Sequence, residues 1–326
     1  MDDIYFSGSI IKKQPRDRFH PVRTGRYILA TNEIQRLYEA VHRWITNRSP
    51  GGIIYGRPRL GKTRAIRFLQ YALPQEFGEN LSVFVINCQY HGQATENTFF
   101  EELLKAVQHA DPFSGKASIK RERLYRFLID KAYASEERKI IIVLDEAQKL
   151  TETHYQWLMD IYNVLDYADI DLTFILVGQE QLESQRTAML SIKKHQIVGR
   201  FMVHKFKFTG VKMTEDLQKC LAGYDDESEY PVGSGVSYTQ WFFPDQFKSG
   251  LRLQLYAEEI MEVFKQTSQA SKLISSVGVP MQYITKTIEY ILLNYGIEGA
   301  NVDRISYNMI EDAVLYSGYA ETEVYK

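Results

Sequence analysis

The chain has 326 residues, 44% of them hydrophobic, and a formal net charge of −2. That is enough apolar content for one large domain or a medium one with an appendage. It is also too balanced a charge for a generic polyanion binder, so any nucleic-acid surface has to be a local basic patch. Cys88 and Cys220 are too few and too far apart for a disulfide framework or a metal-ligand pattern, and read as buried thiols in a reducing cytoplasm. No run of about 18 apolar residues occurs and the N-terminus has no signal-like apolar stretch, which argues against membrane spanning and export and predicts a cytoplasmic protein.

Residues 1–30 lack clear periodicity and carry Lys12, Lys13, Arg16, Arg18, Arg23 and Arg26, which reads as a basic arm or a loosely packed lead-in. Thr31 or Asn32 can cap a helix running through Trp44, with Ile34, Leu37, Val41 and Trp44 on its apolar face. "GGIIYG" (51–56) is a short buried strand, and the sequence after it predicts a helix over Arg64–Leu73, with Pro74 punctuating the stretch that follows. Further apolar runs too short for helices lie at 81–87, 139–145 and 172–178, and a more alternating one at 202–208. Runs of this kind suit strands buried on both faces. Between them Leu150, His154, Trp157, Leu158, Ile161 and Leu165 share a helical face. Strands alternating with helices predict a doubly wound α/β domain over 31–212. The pattern then changes. Residues 213–252 form an acidic and aromatic stretch that reads as an insertion, its Tyr238, Trp241, Phe242 and Phe243 serving either to dock a partner or to pin the loop onto its own domain. Residues 253–326 look helical, with breaks near "SVGVPMQ" and "NYGIEGANVD".

Gly56-x-x-x-x-Gly61-Lys62-Thr63 follows a predicted strand and precedes a predicted helix, the context of a phosphate-binding loop. Its glycines let backbone N–H groups close on a phosphate, Lys62 reaches the β- and γ-phosphates, and the Thr63 hydroxyl ligates Mg²⁺. Arg57 and Arg59 fall at the loop's outer edge, either merely solvated or met there by a neighbour or DNA. "IIIVLDEAQ" ends a strand in Asp145, placed to hold Mg²⁺, with Glu146 beside it suited to activate water. Gln179 after the next strand can touch the γ-phosphate or be an ordinary surface amide. Asn87 ends its strand in the corresponding way and either holds Glu146 out of line until a partner binds or is an ordinary polar residue at a strand end. Arg200, with Arg186 as competitor, is a candidate for an arginine that crosses to a neighbour's γ-phosphate, or a surface arginine in a salt bridge. "KASIKRERLYR" (116–126) is either a solvated helix face or a row of phosphate contacts headed by Lys116, Lys120 and Arg121.

With this loop, "LDEAQ", "LVGQEQL" and "GRF" in order, the chain resembles AAA+ ATPases over about residues 30–210. Within them it is similar to the TnsC/TniB/MuB-like transposition regulators and their ExeA-like relatives. The resemblance implies a AAA+ P-loop domain with a five-stranded parallel sheet flanked by helices, plus a small C-terminal helical lid. It implies a slow ATPase using ATP and Mg²⁺ that assembles as a ring or filament of its own copies on double-stranded DNA. Such an assembly marks a target, recruits a transposase and target-selector proteins, and comes apart on hydrolysis. Lys62, Thr63, Asp145 and Glu146 take the standard roles, Gln179 the sensor position and Arg200 the trans-acting arginine. The basic residues between the second and third strands, Lys116, Lys120 and Arg121, would face the DNA. The lid departs from the pattern: Gln282 and Lys286 stand near the position where an arginine would reach the γ-phosphate. Two other readings are a AAA+ ATPase acting on a protein partner, as in secretion or antiviral defence, and an initiator of the origin-recognition type. The initiator would normally add a winged-helix domain, for which 253–326 is short.

Overall fold

Residues of the run Ile140–Leu144 alternate between two hydrophobic cores: Ile140, Ile142 and Leu144 enter one, Ile141 and Val143 the other. A strand with both faces covered by helices gains from apolar side chains at every position, which is why the run is continuous rather than alternating. The computed structural model describes residues 17–270 and 278–323. Its elements in chain order are α1 (Pro21–Thr24), α2 (Asn32–Thr46), β1 (Gly51–Tyr55), α3 (Lys62–Phe77), β2 (Ser82–Asn87), α4 (Glu96–Ala106), α5 (Ala117–Tyr133), β3 (Lys139–Asp145), α6 (Glu152–Tyr167), β4 (Asp171–Gly178), α7 (Gln181–Ser191), α8 (His195–Phe201) and β5 (His204–Lys207). There follow α9 (Thr214–Ala222), α10 (Tyr238–Phe242), α11 (Pro244–Lys248), α12 (Ala257–Ala270), α13 (Met281–Tyr295), α14 (Tyr307–Tyr316) and α15 (Tyr319–Glu323). Among the described residues, no helix is long and apolar enough to cross a membrane.

The chain divides into two compact units, one over 33–209 and one that joins the N-terminal segment to everything from 210 onward. In the first, the five strands form one sheet in the order β2-β3-β4-β1-β5, every neighbouring pair parallel. Helices α2 and α3 cover one face, and α4 to α8 contribute to the core on the other. The register sets Asn87 opposite Asp145 and Tyr55 opposite Gly178, so the residues that follow these strands gather at one edge of the sheet. Loops at the C-terminal edge of a parallel sheet are where such folds hold ligands. Helix α3 runs past the expected stop, with Pro74 inside it. Proline there forfeits one backbone donor, and Leu69 and Leu73, both fully buried, keep the helix on the sheet regardless.

The second unit is helical. Segment 213–252 shares its core with the C-terminal helices: Leu217, Cys220, Leu221, Tyr224, Phe242 and Phe243 are buried together with Ile260, Phe264, Ile284 and Ile288. Its aromatic residues thus pin the segment to its own unit, the alternative in which they do not serve as a free docking surface. Of the residues read as a basic arm, Lys12, Lys13 and Arg16 lie outside the described ones. From Asp17 onward the segment is packed: His20, Val22 and Leu29 are buried, and Arg23 is ion-paired with Glu298. The His20 ring sits among Tyr230, Phe242 and Tyr238, with centroid distances of 4.6, 4.8 and 5.1 Å.

One acid of the 213–252 stretch has a structural duty. Asp225 is 1% exposed, and its carboxylate accepts the N–H groups of Leu253 and Gln254, both at 2.9 Å, at the start of the turn leading into α12. Burial raises its pKa above the usual carboxylate range, against those two donors. Alanine there leaves the Leu253 N–H buried without a partner, which costs about 1–3 kcal/mol. Asp225→Ala is expected to lower the denaturation midpoint of the helical unit accordingly. An unfolding free energy unchanged within about 0.5 kcal/mol contradicts this role.

Candidate nucleotide-binding site

The loop after β1 is fixed at both ends. The Gly56 N–H donates to the Gly178 carbonyl at 3.3 Å, and a side chain at Gly56 would begin 2.3 Å from the Phe208 carbonyl oxygen, so only glycine fits. Leu60, 2% exposed, anchors the middle of the loop in the core. Gly61, at φ 106°, turns the chain into α3, whose first turn has no side-chain cap and no acidic residue. An uncapped helix start offers backbone donors and positive potential to an anion. The Lys62 ammonium donates to the carbonyls of Gly56 and Arg57, both at 2.7 Å, and the residue is 9% exposed. Burial lowers its pKa below the usual lysine range, while Glu146 and Asp145 pull the other way. A buried cation over an uncapped helix start fits a polyphosphate.

Asp145 closes the site from β3. Burial raises its carboxyl pKa, opposed by the Glu146 N–H, which donates to it at 3.0 Å, and by Lys62 and the Thr63 side chain. Thr63 and Asp145 are thus brought together as a pair of hard oxygen donors. That is the donor set Mg²⁺ takes when phosphates and water complete its shell, so the residues present fit ATP with Mg²⁺. Glu146 follows at φ 57°, an uncommon conformation for a residue with a side chain. Its carboxylate accepts from the Gln148 side-chain amide at 2.7 Å. The Gln148 side-chain oxygen in turn accepts the backbone N–H of Gln179 at 3.2 Å. Gln179 is half-buried at the end of β4.

The sequence offered Asn87 either as a restraint on Glu146 or as an ordinary polar residue at a strand end, and did not single out Gln148. Asn87 is exposed at the end of β2, in register with Asp145, and the amide that bonds Glu146 is two residues along the same turn. The only signal was the glutamine in "DEAQ", which periodicity does not interpret.

Arg200 lies at the other end of the sheet. A side chain on Gly51, the first residue of β1, would begin 2.7 Å from the Arg200 carbonyl oxygen, whereas the phosphate loop follows the last residue of that strand. Five strand residues separate these ends by roughly 16 Å. The Arg200 guanidinium stacks on Tyr162, 4.1 Å from the ring centroid. Arg186, the competitor, donates to the Met202 carbonyl at 2.9 Å and is held half-buried there. Arg57 is half-buried and Arg59 exposed on the loop. Gln282 and Lys286 are exposed on α13 in the helical unit.

The expected row of DNA contacts on α5 needs correction. Lys120 is 2% exposed, its ammonium 2.7 Å from Glu101 of α4, and Arg121 pairs with Glu96 of α4 at 2.9 Å. Arg123 bonds Asp111 and the carbonyls of Asp111 and Ser114. Lys116, just before α5, is exposed. A buried ammonium persists only with a partner, so Lys120 ties α5 to α4 and is not available to a phosphate. Lys120→Met is expected to lower stability by about 1–3 kcal/mol and to leave affinity for duplex DNA unchanged. A tenfold loss of DNA affinity with unaltered stability would reinstate it as a contact.

A sequence model of the AAA domain matches residues 46–185. No curated protein matches the chain. Among solved structures, the ORC2 protein of Aeropyrum pernix in its ADPNP–ADP complexes is 14% identical with a TM-score of 0.56, over 91% of this chain and 71% of that one. The ORC1 protein of Aeropyrum pernix in complex with DNA is 15% identical with a TM-score of 0.51, over 89% of this chain and 66% of that one. At these identities the likeness is one of fold: the chain has the AAA+ P-loop fold, and residues 46–185 are similar to the AAA-domain model.

Proposed function

We propose that the protein is an ATP-hydrolysing AAA+ switch that assembles with copies of itself on duplex DNA, marks a transposition target there, and engages a transposase and target selectors. Hydrolysis then takes the assembly apart. The observation that carries the reading is the closed set at the sheet edge: Lys62 buried over an uncapped helix start, Thr63 beside Asp145, and Glu146 next in the chain. Lys62 and the loop N–H groups bind the phosphates. Thr63 and Asp145 would hold Mg²⁺, which would supply positive charge to the phosphates. Glu146 accepts a proton from the attacking water, and Gln179 senses the γ-phosphate. Arg200, about a strand's length from its own loop, serves a neighbour's nucleotide, which makes ATP favour the assembled state. Lys116 is the exposed member of the basic set offered to DNA. The fold likeness to a protein solved in complex with DNA supports the DNA reading. The test is light scattering with and without DNA. Wild type should assemble with ATP or its non-hydrolysable analogue and not with ADP, and Arg200→Ala should stay small while still binding ATP. Assembly that ignores nucleotide contradicts the switch.

A second reading, an ATPase working on a protein partner without DNA, is favoured by one observation: Lys120 and Arg121 are already neutralised by Glu101 and Glu96. It predicts turnover stimulated by protein and no DNA affinity in any nucleotide state.

A further inference from the structure

Gln148 sits in the short turn between β3 and α6, and both ends of its side-chain amide are hydrogen-bonded within the site. Its side-chain N–H donates to the Glu146 carboxylate at 2.7 Å, and its side-chain oxygen accepts the Gln179 N–H at 3.2 Å. Its backbone carbonyl accepts the Gln185 side-chain amide, on α7, at 2.6 Å. The amide is also gauged by Gly178. A side chain there would begin 2.4 Å from the Gln148 oxygen, so the last residue of β4 has to be glycine for the amide to reach the strand. Residues on two neighbouring strands, the one bearing the water-activating acid and the one bearing the sensor amide, are therefore joined through a single side chain.

An N–H donated to a carboxylate occupies one of its lone pairs and stabilises its charge. The same carboxylate can take a proton from water only when an oxygen is available and correctly aimed. In the arrangement seen, Glu146 is engaged with Gln148, and Gln148 is held by the backbone of Gln179. We infer that Gln148 is a positioning residue that keeps Glu146 from activating water until Gln179 shifts towards the γ-phosphate. That shift removes the donor to the Gln148 oxygen, lets the amide turn, and releases the Glu146 carboxylate. The inference rests on the reading of this site as an ATPase and adds how its two halves are coupled.

Two substitutions separate the ends of the amide. Gln148→Ala removes both hydrogen bonds. Gln148→Glu removes the donor to Glu146 and keeps an acceptor for the Gln179 N–H. Steady-state ATP turnover is measured on the full chain, with and without duplex DNA, alongside ADP affinity and thermal stability. Losing one charge-assisted hydrogen bond changes a rate by about tenfold or more. Both variants are expected to raise turnover without DNA about tenfold, with KM for ATP and the ADP Kd within about twofold of wild type. The ratio of stimulated to unstimulated rate should shrink by the same factor. A merely structural glutamine gives a different result: Gln148→Ala slow and less stable, Gln148→Glu like wild type. That pattern, or unchanged turnover in both variants, overturns the inference. Wild type that binds ATP and never turns it over overturns the ATPase reading itself, and the inference with it.

Discussion

Alanine at Lys62 is expected to weaken ATP binding by about 10²- to 10⁴-fold. The ammonium is held in the heart of the loop by two backbone carbonyls, Gly56 and Arg57, each at 2.7 Å. It is available to a triphosphate by exchanging those carbonyls for phosphate oxygens. Each charge-assisted hydrogen bond lost removes about 1.5–3 kcal/mol, and two such bonds give the stated range. The competing effect is on the fold, since alanine also frees the two carbonyls. Leu60 in the core and the Gly56–Gly178 bond hold the loop independently of Lys62. Calorimetric titration with ATP, beside a thermal melt, checks both. A variant that melts like wild type and binds ATP as tightly contradicts the placement of the phosphates.

Glutamine at Glu146 is expected to reduce ATP turnover by about 10²- to 10⁴-fold, the usual contribution of a positioned general base, with ATP affinity retained. The residue directly follows Asp145 in the site, and it is Asp145 that accepts from the Thr63 side chain. Removing its charge also lowers the negative potential felt by a triphosphate, so binding is expected to be equal or tighter. The variant should accumulate in the ATP-bound, assembled form. Single-turnover chemistry at the wild-type rate would show that another group activates the water.

The sheet was readable from sequence because its strands are buried on both faces, so Ile140–Leu144 and Leu172–Val177 stand out as apolar runs of strand length. The phosphate loop was readable because glycine spacing, strand and helix all constrain a short contiguous stretch. What escaped depends on residues distant in sequence. Lys120 looked like part of a basic stripe because its partner, Glu101, lies on a different helix. The acids and aromatics of 213–252 looked like an insertion because the groups that bury them, such as Leu253 over Asp225 and the C-terminal helices around Phe242, come later in the chain. Gln148 escaped for a subtler reason. Its role is set by a backbone N–H, that of Gln179, which any residue but proline supplies at that position.

The most direct test of the central claim is fluorescence anisotropy of a random-sequence duplex titrated with the protein, with ATP, a non-hydrolysable analogue, ADP or no nucleotide, at several salt concentrations. The account predicts tight binding with ATP and the analogue only, weakening steeply with salt because phosphate contacts dominate. No binding in any state, with the site shown to be occupied by nucleotide, would contradict the DNA assembly and leave an ATPase directed at a protein partner.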